Sequence, residues 1–156
     1  MANGIYKITE DFEKLLSEYT GAKHVVTVDN MSNALFLALY YEHYVNKSIK
    51  TDTITIPNRT YPSVPCEIIH AGLKVGWEIS KKETLTGAYQ LKGSNIWDSA
   101  LRFTHNMYIP NNHMCVSFTG PYKTFKLSKG GAILTDNHDA YLWFKRARFS
   151  GRRECA

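Results

Sequence analysis

Between His24 and Phe149 the chain alternates short β-branched runs with stretches of helical period, and that alternation restricts the fold more than any other feature. "HVVTV", residues 24 to 28, has the composition of a buried strand, and "SNALFLALYYEHY" after it is apolar almost all round, so it reads as a largely buried helix. "DTITIP" is a strand, "SVPCEIIHAG" a short helix closed by Gly72, and "KVGWEI" a strand. "SNIWD", "HMCVSF" and "GAILTD" are further strands, and "HDAYLWFKRARF" is a closing helix. Upstream, "TEDFEKLLSEYTG" sets Thr9 as an N-cap and puts Phe12, Leu15, Leu16 and Tyr19 on one helical face before Gly21. Strands alternating with helices imply right-handed βαβ crossovers, so the expected class is α/β with a mostly parallel sheet flanked by helices. The polar stretch "SKKETLTGAYQLKG" reads as a loop.

A chain of 156 residues is expected to form a single domain, residues 1–156, and with 44% apolar and 21% charged residues it can bury a core. No run approaches the roughly 20 apolar residues that span a bilayer, and "MANGIYKITEDF" lacks a signal peptide's apolar centre. The expectation is a cytoplasmic protein with no membrane partner. Cys66, Cys115 and Cys155 are odd in number and far apart, which favours reduced thiols over a disulfide framework or a zinc site. The six histidines are scattered, and no metal is expected. The formal charge of +5 gathers in Lys145, Arg146, Arg148, Arg152 and Arg153, either a solvated helix end or a phosphate-binding surface. No nucleic-acid motif accompanies them, so nucleic acid is not the expected partner. P-loop, GxGxxG, HExxH and GxSxG patterns are all missing.

In an open α/β sheet, ligands sit outside the carboxyl ends of the strands. The loops there hold residues 30–33, 58–61, 98–100 and 117–123, and together they offer the parts of a pyridoxal 5'-phosphate site. Such a site needs a lysine for a Schiff base, a carboxylate for the pyridine nitrogen, hydroxyls and amides for the phosphate, and a flat group on the ring. Lys123, Asp98, Ser32 with Ser117, and Tyr61 are the candidates. Each has a plainer reading: a surface lysine, a helix cap, an N-cap, a core tyrosine.

The order of the segments resembles the DegT/DnrJ-type nucleotide-sugar aminotransferase family, pyridoxal phosphate enzymes with the aspartate aminotransferase fold. "FEKLLSEYTGAKHVVTVDNMSNALFLAL", "ITIPNRTYPSVPCEIIHAGLKVGWEI", "NIWDSA", "CVSFTGPYKTFKLSKGGAILTDN" and "FKRARFSG" match its segments in sequence, nearly the whole chain. The resemblance implies a trimmed large domain of a fold-type I enzyme. It assigns Ser32 and Ser117 to the phosphate, Tyr61 to the ring face, Asp98 to the pyridine nitrogen, Ala100 to ring packing and Lys123 to the Schiff base, with Asn33 as a further cofactor-binding residue. It further implies an amino-acid donor, a keto-sugar or sugar-nucleotide acceptor and a homodimer.

Three departures bear on the site. Met31 stands at a glycine of the family, an extra residue precedes Lys123 so that Tyr122 competes for its place, and the segment from Ile79 to Asp98 is short, so the sheet is expected to lack an element. The chain also stops where the family's small domain, which closes over substrate, would begin. Two functions follow: a minimal aminotransferase-like enzyme, or a noncatalytic relative serving as a binding or structural module.

Overall fold

The structure is a computed structural model that describes residue 4, residues 6–79 and residues 87–152; Cys155, Arg153 and residues 80–86 of the polar stretch lie outside it. The first helix, α1 (Lys7–Thr20), starts before Thr9, with Tyr6 at the N-cap and no side-chain cap. Thr9 is therefore inside the helix. Gly21 ends it at φ +78°, donating its N–H to the Ser17 carbonyl. Strand β1 (His24–Val28) leads into α2 (Met31–Tyr40), whose last turn widens into a π-helical turn at Tyr41–Val45. Then come β2 (Thr53–Pro57), α3 (Ser63–His70) and β3 (Lys74–Glu78). Strands β4 (Tyr89–Leu91), β5 (Ile96–Ser99), β6 (His113–Ser117) and β7 (Gly131–Thr135) precede the last helix, α4 (His138–Ala147).

The α/β class with flanking helices holds, and the pairing within it is mixed rather than mostly parallel. One sheet runs β1-β7-β6-β5-β4, with β5 and β6 parallel and the other neighbours antiparallel; β2 and β3 form a parallel pair. Connection length explains the difference. A parallel return needs a crossover of a dozen or more residues, which α3 supplies between β2 and β3. The turn from Lys92 to Asn95 permits only a hairpin, so β4 and β5 run antiparallel. The segment between Ile79 and Asp98 thus contributes β4, inside the stretch read as a loop. Reciprocal bonds between Thr55 and Lys92, both 3.0 Å, join the two sheets at β2 and β4.

Strand alternation divides the core. On one face Cys115 and Ile133 meet Leu35, Leu39, Ile54, Ile56, Ile68, Leu91, Ile96 and Phe144, the cluster in which α2 is buried. On the other, Met114, Val116 and Leu134 pack with Leu16, Val25 and Phe118 under α1. Each such side chain contributes about 1.5–3 kcal/mol by leaving water.

Two polar networks tie this core together. The π-helical turn carries Glu42 inward, where Oε1 lies 2.6 Å from His113 Nε2, and Oε2 accepts from Asn46 and from Ser48. His113 Nδ1 is 3.0 Å from the Thr135 hydroxyl. Burial alone would raise the Glu42 carboxyl, but these bonds and the His113 charge outweigh it and hold it at about 2. The second network absorbs part of the basic C-terminal cluster: the Arg148 guanidinium pairs with buried Glu13 and donates to the Thr27 carbonyl at 3.0 Å. Lys145 lies over the Tyr141 ring, 5.6 Å from its centre. Among the described residues no helix is long and apolar enough to cross a membrane.

Candidate functional site

A cavity of about 640 Å³ opens where the carboxyl ends of β2, β5 and β6 face the first turns of α2 and α3. Asn30 starts α2 as its N-cap, its side chain accepting the Asn33 N–H at 2.8 Å. Ser32 is thereby the second helical residue, and its hydroxyl donates to Ser63 Oγ, the first residue of α3, at 2.8 Å. The start of β7 makes this geometry tight. A Cβ on Gly131 would lie 2.7 Å from the Met31 nitrogen and 2.8 Å from the Asn30 carbonyl carbon, so only glycine lets β7 pass beneath α2. Met31 itself is buried and lines the cavity.

Asp98 sits near the end of β5, 3% exposed, with both oxygens engaged. Oδ1 accepts the Ala100 N–H at 2.8 Å and Oδ2 accepts the Tyr89 hydroxyl at 2.8 Å. Burial pushes its carboxyl above the usual range, opposed by those two hydrogen bonds and by the Lys123 charge.

The loop after β6 decides between Lys123 and Tyr122. Phe118 accepts from Leu127 at 2.7 Å and donates to Gly130 at 3.0 Å, and Gly130 in turn donates to the Thr119 hydroxyl at 3.1 Å. Phe125 packs on Phe12, Phe103 and Phe118, its ring centre 5.4–6.0 Å from theirs. Held this way, the loop takes up its extra residue with Gly120 at φ +115°. Tyr122 is left 91% exposed, and Lys123 turns into the cavity with Nζ donating to the Ala100 carbonyl at 2.6 Å. Partial burial lowers the Lys123 pKa, against the attraction of Asp98.

Ser32, Tyr61, Asp98, Ala100, Ser117 and Lys123 all line this one cavity. Tyr61 stands at its lip, 72% exposed. Asn33 does not line the cavity: its amide donates to Asp29 Oδ1 at 2.5 Å and its N–H is taken by Asn30. Asp29 also draws Lys129, at 3.5 Å. Asp98 is no helix cap, and Ser32 is not the N-cap.

Arg59, Thr60, Ser63 and Tyr89 also line the cavity; the sequence placed Arg59 and Thr60 in a ligand-facing loop without giving either a role, and it did not indicate Ser63 or Tyr89. For Tyr89 a signal was present. Alternating "AYQL" before "KGSN" and a second apolar run is a hairpin pattern, obscured by the lysines and threonines ahead of it.

The fold is shared with sugar aminotransferases. DesI, solved in the presence of its TDP-sugar product, superposes with a TM-score of 0.68 at 15% identity over 97% of this chain and 47% of that one. Helicobacter pylori PseC, an aminotransferase involved in the biosynthesis of pseudoaminic acid, gives 0.67 at 15% over 99% and 50%. A DegT DnrJ EryC1 StrS aminotransferase from Brucella abortus gives 0.67 at 17% over 95% and 51%. The chain spans about half the length of these structures. No curated protein matches it. The sequence profile of the DegT/DnrJ/EryC1/StrS aminotransferase family matches residues 3–85, and the chain belongs to that family.

Proposed function

We propose that this chain holds pyridoxal phosphate and transfers an amino group from an amino acid to a keto sugar, nucleotide-linked in the favoured case, with Lys123 as the amine that engages the cofactor. The observation that carries this reading is the convergence of Lys123 and Asp98 on one cavity with the hydroxyls of Ser32 and Ser117. The donor set fits the group: one carboxylate, one amine, serine hydroxyls at a helix start, and a volume within the range of small-molecule sites. When bound, pyridoxal phosphate supplies a carbonyl for Schiff-base exchange and a ring that accepts the electron pair released at the substrate carbon.

Every other step falls to the protein. Asp98 would hold a proton on the ring nitrogen, and its burial would keep water from competing for that contact. Ser63 and Ser117 would donate to the phosphate beside the positive end of α2, and Ser32 would join them by turning its hydrogen away from Ser63. Tyr61 and Ala100 line the cavity, where they would pack against the ring. Lys123, its pKa lowered by burial, presents a neutral amine more readily than a surface lysine and moves a proton at the reacting carbon. We read the assembly as a homodimer, since Tyr61, Leu101 and Tyr122 leave apolar surface exposed. Sedimentation velocity checks this, and a monomer at tens of micromolar removes it.

The noncatalytic alternative rests on Met31, the shifted lysine and the missing small domain, and Lys123 reaching the cavity removes the second of these grounds. The deciding experiment adds pyridoxal phosphate to the purified protein and to Lys123→Ala. The expected result is a visible absorption band that borohydride bleaches, leaving the cofactor's mass on the Lys123 peptide, with no such band in the variant. The same result in both proteins, or none in either, sinks the proposal.

A further inference from the structure

We propose that Tyr89 is a positioning residue for Asp98 and that Thr60 completes it, their two hydroxyls forming a relay that fixes the plane of the carboxylate at the cavity. The inference rests on the reading of Asp98 as the carboxylate that meets the cofactor ring.

The relay is built from strand register. Tyr89 on β4 lies directly opposite Asp98 on β5, which places their side chains side by side on one face. Tyr89 is 8% exposed, and a buried phenol needs a partner. Its single hydrogen goes to Asp98 Oδ2 at 2.8 Å. The Thr60 hydroxyl also contacts the Tyr89 oxygen, so Thr60 must be the donor in that pair. The direction is therefore Thr60 to Tyr89 to Asp98, and each bond polarises the next. Since Oδ1 is held by the Ala100 N–H, the carboxylate cannot rotate without breaking one of its two bonds. Thr60 lies between Arg59 and Tyr61, and all three line the cavity. The relay thus runs from the loop after β2, through β4, to the acid on β5. Phenylalanine at position 89 fills the same space and donates nothing.

The other titratable groups facing Asp98 are Lys123, from the loop after β6, and Cys115, its register partner on β6. Neither stands in hydrogen-bond contact with Asp98 among the described residues, so the relay and the Ala100 amide set its orientation.

The test follows the Asp98 carboxyl carbon by NMR across pH in ligand-free protein, for wild type, Tyr89→Phe and Thr60→Val. The expected result is an Asp98 titration midpoint that moves up in Tyr89→Phe and up by less in Thr60→Val. Pyridoxal phosphate affinity at neutral pH should fall about tenfold in Tyr89→Phe, the scale of one lost bond to a charged group. A tyrosine that merely fills the core would lower the melting temperature and leave the midpoint alone, and that outcome overturns the proposal. Should Tyr89→Phe fail to fold, an unmoved midpoint in Thr60→Val overturns it equally. A wild type that takes up no pyridoxal phosphate, with the midpoints shifting as expected, defeats the functional reading and leaves the relay standing.

Discussion

Asp98 and Lys123 share one cavity, and burial acts on both by disfavouring charge, so the pair makes the site costly to fold. For Asp98 the sign runs against the usual carboxylate. Its folded pKa lies above the ordinary 3.8, so it costs nothing below that value, and its cost appears as pH rises and the unfolded chain ionises first. Asp98→Asn should therefore melt higher than wild type at pH 7, by roughly 4 °C for each 1 kcal/mol relieved, and the gap should close below pH 3.8. The amide can be accommodated: its oxygen takes the Ala100 N–H, its nitrogen donates to Tyr89, and Tyr89 turns its own hydrogen to Thr60. Thermal melts from pH 3 to pH 8 check this, and a lower melting point at neutral pH contradicts it. The same substitution removes the attraction that holds the Lys123 pKa up. The Lys123 amine of Asp98→Asn should then react faster with an acylating probe at a given pH, with its rate profile moved to lower pH, read by mass spectrometry of the peptide.

At the scale of elements, two junctions hold α2 over the sheet. At its far end Glu42 meets His113, whose other ring nitrogen meets Thr135, and with a carboxyl held at about 2 against an ordinary 4.5 the stabilisation from Glu42 is present above 4.5 and lost as pH falls towards 2. Glu42→Gln should cost about 3 kcal/mol at pH 7 and flatten the acid limb, as urea unfolding at several pH values would report. At its near end Gly131→Ala should cost roughly 1–3 kcal/mol or more, because the added methyl meets backbone that cannot swing aside. Cofactor uptake should weaken with it, since Met31 and Ser32 are what shift. These junctions also mark what the sequence can and cannot disclose. Periodicity in "HVVTV", "DTITIP", "HMCVSF" and "GAILTD" exposes the strands because one residue type repeats at one spacing. Lys123 and Asp98 were legible as candidates because Asp98 stands near the end of an apolar strand and Lys123 lies in the loop after one. Strand direction was not, since it depends on whether a connection is long enough to cross over. Tyr89 and Thr60 were not either: their role exists only once a hairpin and a loop 29 residues apart meet.

Across the whole molecule, the cavity is the place where the two sheets and both central helices share residues. Thr60, Tyr61 and Ser63 come from the β2 side, Tyr89, Asp98 and Ser117 from the five-stranded sheet, and Met31, Ser32 and Leu35 from α2 between them. The main core is continuous in the same sense, since Ile54 and Ile56 of β2 belong to one cluster with Leu91, Ile96 and Ile133. Neither sheet can lose its partner without opening that cluster, so unfolding should be a single transition, with the same midpoint by tryptophan fluorescence and far-ultraviolet circular dichroism. A ligand in the cavity binds only the folded state, and its effect must fall on that whole transition. Pyridoxal phosphate at a hundred times its dissociation constant should stabilise the protein by about 2.7 kcal/mol. Lys123→Ala should keep a smaller part of this gain through the phosphate contacts, whereas Asp98→Asn with Ser117→Ala should lose most of it. Two separated transitions, with the ligand raising one alone, would show that the sheets fold independently and that the cavity belongs to only one of them.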